Sequence, residues 1–228
     1  VQFSAFLLAI TISFSCALSS ATADSSSGIT AYQKGDFETA AKELPPAAKA
    51  GDVSAQRYMG HLYRQGLATK LDYQQSAYWY LLAAKQGDRE AQSYMGLYYV
   101  DGIGVKQDFQ LAAYWLELAA QAGDPAAQNS LASMYRNALG QPRDYDKAAR
   151  WYEAAANQGH PIAQRNIGRF YERGRGVITN NIKAYAWYRV SADQGNTKAA
   201  ADLRHLRAKL TEVQIQSAEE LAKTLPRY

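Results

Sequence analysis

Tryptophan returns at Trp79, Trp115, Trp151 and Trp187, and every step is 36 residues. The same step links Gly51, Gly87, Gly123, Gly159 and Gly195, then Ala55, Ala91, Ala127, Ala163 and Ala199. It also links Tyr63, Tyr99, Tyr135 and Tyr171, and Asp72, Asp108 and Asp144 with Asn180 in the fourth copy. No insertion breaks the register. A chain with this self-similarity folds as an array, in which each unit buries its apolar face against the next.

Each unit carries the signals of two helices. A glycine closes runs such as Leu81–Gly87, where a left-handed residue ends a helix without a Cβ penalty. Asp52, Asp88, Asp124, His160 or Asn196 follows, each able to accept from the free N–H groups of the next helix. Pro125 and Pro161 suit a first helical turn. Ala55, Met59, Leu62 and Tyr63 make one apolar stripe on the first helix. A glycine-containing loop such as Asp101–Val105 leads to Asp72, Asp108 or Asp144, which cap a second helix. The stripe of that helix includes Tyr73, Ala77, Tyr80 and Ala84. Small residues at Gly60, Gly96, Ala132 and Gly168 allow the paired helices to approach closely.

The ends depart from the period. Residues 31–51 read as a degenerate second half-repeat, in which Pro45 and Pro46 are expected to kink or interrupt the helix. Arg204 and Arg207 replace the expected glycine and tyrosine, so the array stops there. Thr211 and Gln214 resemble a capping box. It opens a terminal helix with Val213, Ala218, Leu221, Ala222 and Leu225 as its covering face. The expected organisation is a segment 1–23, an N-terminal cap 24–50, four repeats over 51–194 and capping helices over 195–228.

The first 23 residues contain no charged side chain and run apolar from Phe3 to about Leu18 before Ala21-Thr22-Ala23. That is too short to span a membrane and ends in a cleavage pattern, so a signal peptide cut after Ala23 is expected. No Lys or Arg precedes the apolar run. A lipid anchor on Cys16 is the less favoured alternative, because Ser13 and Phe14 suit the preceding positions poorly. Cleavage removes the only cysteine, which excludes disulfides, thiol catalysis and Cys-based zinc sites from the mature chain. The absence of an Asn-x-Ser/Thr acceptor favours a bacterial envelope compartment. A net charge of +4 is too mild for a dedicated nucleic-acid binder.

The pattern Ala55-Gln56, Met59-Gly60, Tyr63, Gly66, followed in the next unit by Gly102-x-Gly104-Val105, Asp108, Ala112-Ala113-x-Trp115-Leu116, Ala119-Ala120 and Gly123, resembles Sel1-like repeats, relatives of the tetratricopeptide repeat. The resemblance covers roughly residues 50–210. It implies an all-α, right-handed superhelical solenoid that works as a non-enzymatic scaffold or regulator binding a partner protein or peptide. Secreted bacterial members are associated with host-cell interaction, exopolysaccharide export and periplasmic signalling control, which implies a periplasmic or secreted location. A cysteine-rich subgroup is linked to β-lactam or peptidoglycan binding, but the repeats here carry no cysteine. Two alternatives remain: a protein that binds or hydrolyses cell-wall material, and an architectural subunit of an envelope export complex.

Few residues point to catalysis. The pairs Gly102/Gly104 and Gly174/Gly176 lack a preceding strand and a following Lys-Ser/Thr, so they read as turns. His61, His160 and His205 have no metal-like spacing, and His160 stands in the column of helix caps. Glu117 and Glu153 share a column with Leu81 and Arg189, and read as helix-surface charge. The four tryptophans read as core. No cofactor, metal or membrane span after cleavage is expected. Function is therefore sought where the repeats differ. By analogy with tetratricopeptide superhelices, the first helices line a concave groove, which places Arg57, Tyr58, His61, Tyr94, Asn129, Ser133, Arg165, Asn166, Arg169 and Arg173 on it. Arg165, Arg169 and Arg173 suit an acidic or C-terminal-carboxylate segment of a partner. Within the aromatic triplet Tyr78-Trp79-Tyr80, only Tyr78 is left as a partner contact.

Overall fold

The structure, a computed structural model, describes residues 24–227, so the expected signal peptide and Cys16 lie outside the described residues. Those residues form twelve helices. They run α1 (Ser26–Gln33), α2 (Phe37–Ala50), α3 (Val53–Gln65), α4 (Tyr73–Lys85), α5 (Arg89–Asp101) and α6 (Phe109–Gln121). The series continues with α7 (Pro125–Asn137), α8 (Tyr145–Ala156), α9 (Pro161–Arg173), α10 (Asn181–Asp193), α11 (Thr197–Arg207) and α12 (Glu212–Thr224). Each helix from α1 to α10 packs on the next in the chain, α12 packs back on α10, and α1 also touches α3 and α5 touches α7. This is an all-α repeat solenoid.

The caps form where the residue types predict them. The Asp52, Asp88 and Asp124 carboxylates accept from Ala55, Ala91 and Ala127 N–H, and the His160 ring accepts from Ala163 N–H at 3.2 Å. Asp72, Asp108, Asp144 and Asn180 cap the second helices in the same way. A capping box joins Thr211 and Gln214 at the start of α12.

Close helix pairing depends on absent side chains. A Cβ on Gly60 would stand 2.5 Å from the Tyr80 ring, and one on Gly96 would stand 2.4 Å from Leu116 Cγ. Neighbouring units also interlock at the loops, where a Cβ on Gly104 would lie 2.0 Å from the Tyr73 carbonyl oxygen. The paired glycines thus hold each loop against the start of the preceding unit's second helix, which is the turn role expected for them. A buried ladder adds polar links. Gln56, Gln92, Gln128 and Gln164 donate to the carbonyls of Ala48, Ala84, Ala120 and Ala156 in the preceding second helix.

Several local expectations change. Pro45 and Pro46 do not interrupt α2, which runs unbroken from Phe37 to Ala50. Their missing N–H groups leave the carbonyls of Ala41 and Lys42 without helical donors. Lys42 is exposed and Ala41 half-buried, so water can reach them. The residues ahead of this helix form α1, and Gly28 packs against Leu44 as Gly60 packs against Tyr80. Tyr73 and Val213 are exposed rather than on their apolar stripes, and Ile215 takes the buried place on α12. Trp79, Trp115 and Trp187 are buried as expected, whereas Trp151 is only half-buried. Among the described residues, no helix is long and apolar enough to cross a membrane.

Candidate functional site

The first helices bring the sequence-selected residues together in two groups. At the N-terminal end, α3 and α5 face one another with aromatic rings and charges. Tyr80 is fully buried, its hydroxyl 2.7 Å from His61 Nδ1, while Tyr94 stacks on its ring at 4.7 Å and 11°. His61 Nε2 reaches Glu90 at 3.2 Å, and Glu90 also receives Arg57, whose Nε lies 3.4 Å from Asp88. The His61 hydrogen bond and then the Arg57 partner hold the Glu90 carboxyl down at about 2, against the opposing effect of burial. Tyr58 packs between His61, at 5.8 Å, and Tyr32, at 4.8 Å. Arg64 lies over the Tyr94 ring at 4.9 Å. His61 is itself buried, so this end is a largely self-paired network, with Arg57 Nε and Arg64 Nε buried without a hydrogen bond, and Arg57, Tyr58 and Tyr94 form its half-buried surface.

The C-terminal group spans α7, α9 and the loop after α9. Asn166 is buried and donates to Asn129 at 3.0 Å, which ties the two helices together. Ser133 accepts from Asn137 at 3.3 Å. Arg165 faces Asp202 on α11 at 2.6 Å, so its guanidinium is engaged inside the chain. Arg169 and Arg173 instead line a narrow crevice with Arg136, Asn166, Phe170 and Arg175. Among the described residues these four arginines form no ion pair. Burial, and then the adjacent Arg173 and Arg165 charges, pull the Arg169 guanidinium below its ordinary pKa.

Sequence reasoning left out Glu90, Arg64, Arg136 and Arg175. The signal for Arg175 was present, because its column otherwise holds Leu67, Ile103 and Leu139. Those three residues pack against the core, whereas Arg175 lies 5.3 Å over the Tyr145 ring. Glu117 accepts from Gln121 at 3.4 Å. Glu153 accepts the Tyr171 hydroxyl at 2.9 Å, and burial followed by this carboxylate pushes Tyr171 up to about 12. Tyr78 is exposed on the second-helix side, as is its counterpart Tyr114.

Among the described residues, no cluster of three or more His, Cys, Asp or Glu side chains could hold a metal ion. Comparison with known proteins agrees with the architecture. The Sel1 repeat model matches residues 53–88, 89–124, 125–160 and 161–196. The structure is similar to a Sel1 repeat protein from Oxalobacter formigenes, with 28% identity, a TM-score of 0.76, and coverage of 87% of this chain and 81% of that one. It is also similar to a protective antigen of uropathogenic Escherichia coli strains that displays an SLR fold. Identity there is 30% and the TM-score 0.78, over 88% of this chain but only 46% of the antigen. A Pseudomonas aeruginosa protein at 20% identity and a TM-score of 0.52 shares the fold alone. Among curated proteins, none matches the chain. Sel1 repeats generally mediate protein–protein interaction and are typically non-catalytic. With four consecutive units matched over most of its helical array, the chain belongs to the Sel1 repeat family.

Proposed function

We propose that this protein is a non-enzymatic scaffold or regulator of the bacterial cell envelope that binds an acidic segment of a partner protein along its first-helix face. One observation carries the reading: the repeats are alike in their packing columns and unlike on this face. At one end Arg57, His61 and Glu90 satisfy one another. At the other, Arg169 and Arg173 form no ion pair among the described residues. Side chains that serve the fold recur with the period, whereas Arg169 shares its column with His61, Leu97 and Ser133, and Arg173 with Gln65, Asp101 and Asn137, so these two charges favour a role outside the fold. Arginine suits that role, because its planar fork matches carboxylate geometry and it is often an anchor of binding energy. The uncharged N-terminal segment supports an envelope location. The reading is tested by immobilising the full chain and passing the envelope fraction of the producing cells over it. A protein retained in fixed proportion by the natural chain and lost from Arg169→Glu/Arg173→Glu is the expected result. Equal retention by both would set the reading aside.

A further inference from the structure

The crevice between α7, α9 and the following loop has features that a solvated basic face lacks. It leaves about 20 Å³ of room for a water-sized group among Arg136, Asn166, Arg169, Phe170, Arg173 and Arg175. That is room for about one water-sized atom and far below the ~300–1,000 Å³ of pockets that enclose whole small molecules, so it suits the leading oxygen of one anionic group. Beneath it lies Tyr152, fully buried, with its ring edge-on to Phe170 at 5.2 Å. The Tyr152 hydroxyl is buried without a hydrogen-bond partner. Its counterparts are satisfied: Tyr80 meets His61, and Tyr188 donates to Glu172 at 2.8 Å. In this unit the His61 position is occupied by the shorter Ser133. Burial pushes the Tyr152 hydroxyl up, against the opposing effects of Arg136, the nearby Ser133 hydroxyl and Arg169. A buried hydroxyl without a partner is costly, and so is a cluster of like charges; both costs are relieved by one anion.

We propose that Arg136, Arg169, Arg173 and Arg175, with the Tyr152 hydroxyl below them, form a binding site for a single oxyanion, a carboxylate or a phosphate. The proposal rests on the partner-binding reading above and narrows it, from a basic face to one pocket that holds one anionic group. Arg175 is its sharpest sign, since it replaces the apolar residue that each other unit packs at this position. The site therefore sacrifices packing for charge. Arg165, although adjacent, stays with Asp202 and takes no part.

The test follows arginine Nε–Hε signals by NMR in the full chain. The probes are inorganic phosphate, an acetylated tetrapeptide with a free terminal carboxylate, and the same peptide amidated. Saturable shifts confined to Arg136, Arg169, Arg173 and Arg175 are expected. Arg175→Leu should weaken binding about tenfold, a typical loss for a charge-assisted contact, while keeping or raising the unfolding temperature. Tyr152→Phe should weaken it about threefold through one lost hydrogen bond, with the fold unchanged. Arg143→Gln, in an exposed loop, should change nothing. Preference for the free carboxylate over the amide assigns the anion to a chain terminus. Phosphate binding with no difference between the peptides assigns it to free phosphate, and either result supports the site. Shifts shared equally by Arg143 and Arg150, or binding unaltered in Arg175→Leu, would overturn it. Local phosphate binding without any retained partner protein would leave the site standing and remove the scaffold reading. A partner retained independently of Arg175 and Tyr152 would do the reverse.

Discussion

The Arg165 guanidinium meets the Asp202 carboxylate at 2.6 Å and joins α9 to α11 across the boundary between the last repeat and its cap. Both side chains are partly buried, at 20% and 29% exposure. Arg165→Ala and Asp202→Ala should each lower stability by about 1 kcal/mol, and the double variant by less than their sum. Urea unfolding of the four-member cycle measures this. Additive losses would mean that the pair contributes no coupling, and would return Arg165 to the set of free cations.

Gly96 tests the close approach of paired helices. Its replacement by alanine places a methyl group 2.4 Å from Leu116 Cγ, in a helical backbone that alanine otherwise prefers. Overpacking should therefore dominate, with a loss of about 1–3 kcal/mol. In the third unit Ala132 stands in this column. Gly96→Ala as stable as the natural chain in urea would show that α5 and α6 separate freely.

Ala138 predicts a gain. It ends α7 at φ 59°, a left-handed conformation that its counterparts Gly66, Gly102 and Gly174 adopt without a Cβ. Ala138→Gly should raise stability by roughly 0.5–1 kcal/mol, the strain removed being partly offset by greater freedom in the unfolded chain. A fall in the unfolding temperature would contradict this.

Trp115 and Trp151 occupy one column but different surroundings. Trp115→Ala should cost roughly 3–5 kcal/mol, as for a core aromatic. The half-buried Trp151, beside Glu117, Tyr135, Lys147 and Arg150, should cost about half as much. Thermal unfolding of the two variants distinguishes these sites, and equal losses would place both in one core.

His160 makes the stability dependent on pH. Burial holds its pKa below the usual 6.5 despite the charge of Asp124, and its neutral ring accepts from Ala163 N–H. The folded chain therefore takes up this proton less readily than the unfolded chain. Its contribution is present above about pH 6.5 and is lost as pH falls through the lowered folded value. His160→Asp keeps an acceptor and adds a negative charge at a helix N-terminus. It should flatten this part of the profile and be more stable by about 0.5–1 kcal/mol near pH 5.5. An unchanged slope in urea unfolding from about pH 5 to 7.5 would assign the dependence to another group.

The scaffold was legible because its determinants are local and recur. Asp72 caps the helix that begins one residue later, and Gly60 meets Tyr80 within one hairpin, so spacing alone identifies both. Less was legible where a contact crosses units or depends on one register. Arg165 looked free because its partner Asp202 is 37 residues away, beyond the last matched repeat. On α12 the apolar residues Val213 and Ile215 are two positions apart, and a helix buries only one of them. Arg136 and Arg175 were missed because only the columns flanking the first-helix stripe were read. Arg136 lies one turn beyond Ser133, and Arg175 lies in a loop. The pairing of Pro45 and Pro46 with an unbroken helix reflects exposure of the affected turn, which sequence alone does not show.

The most direct measurement of the central claim is the equilibrium affinity of the retained partner for the natural chain and for Arg169→Glu/Arg173→Glu, with circular dichroism confirming the fold. An acidic segment seated on these arginines predicts affinity at least about tenfold weaker in the variant, and weakening of the natural complex by added salt. Equal affinity for the two chains, unaffected by salt, would contradict the account.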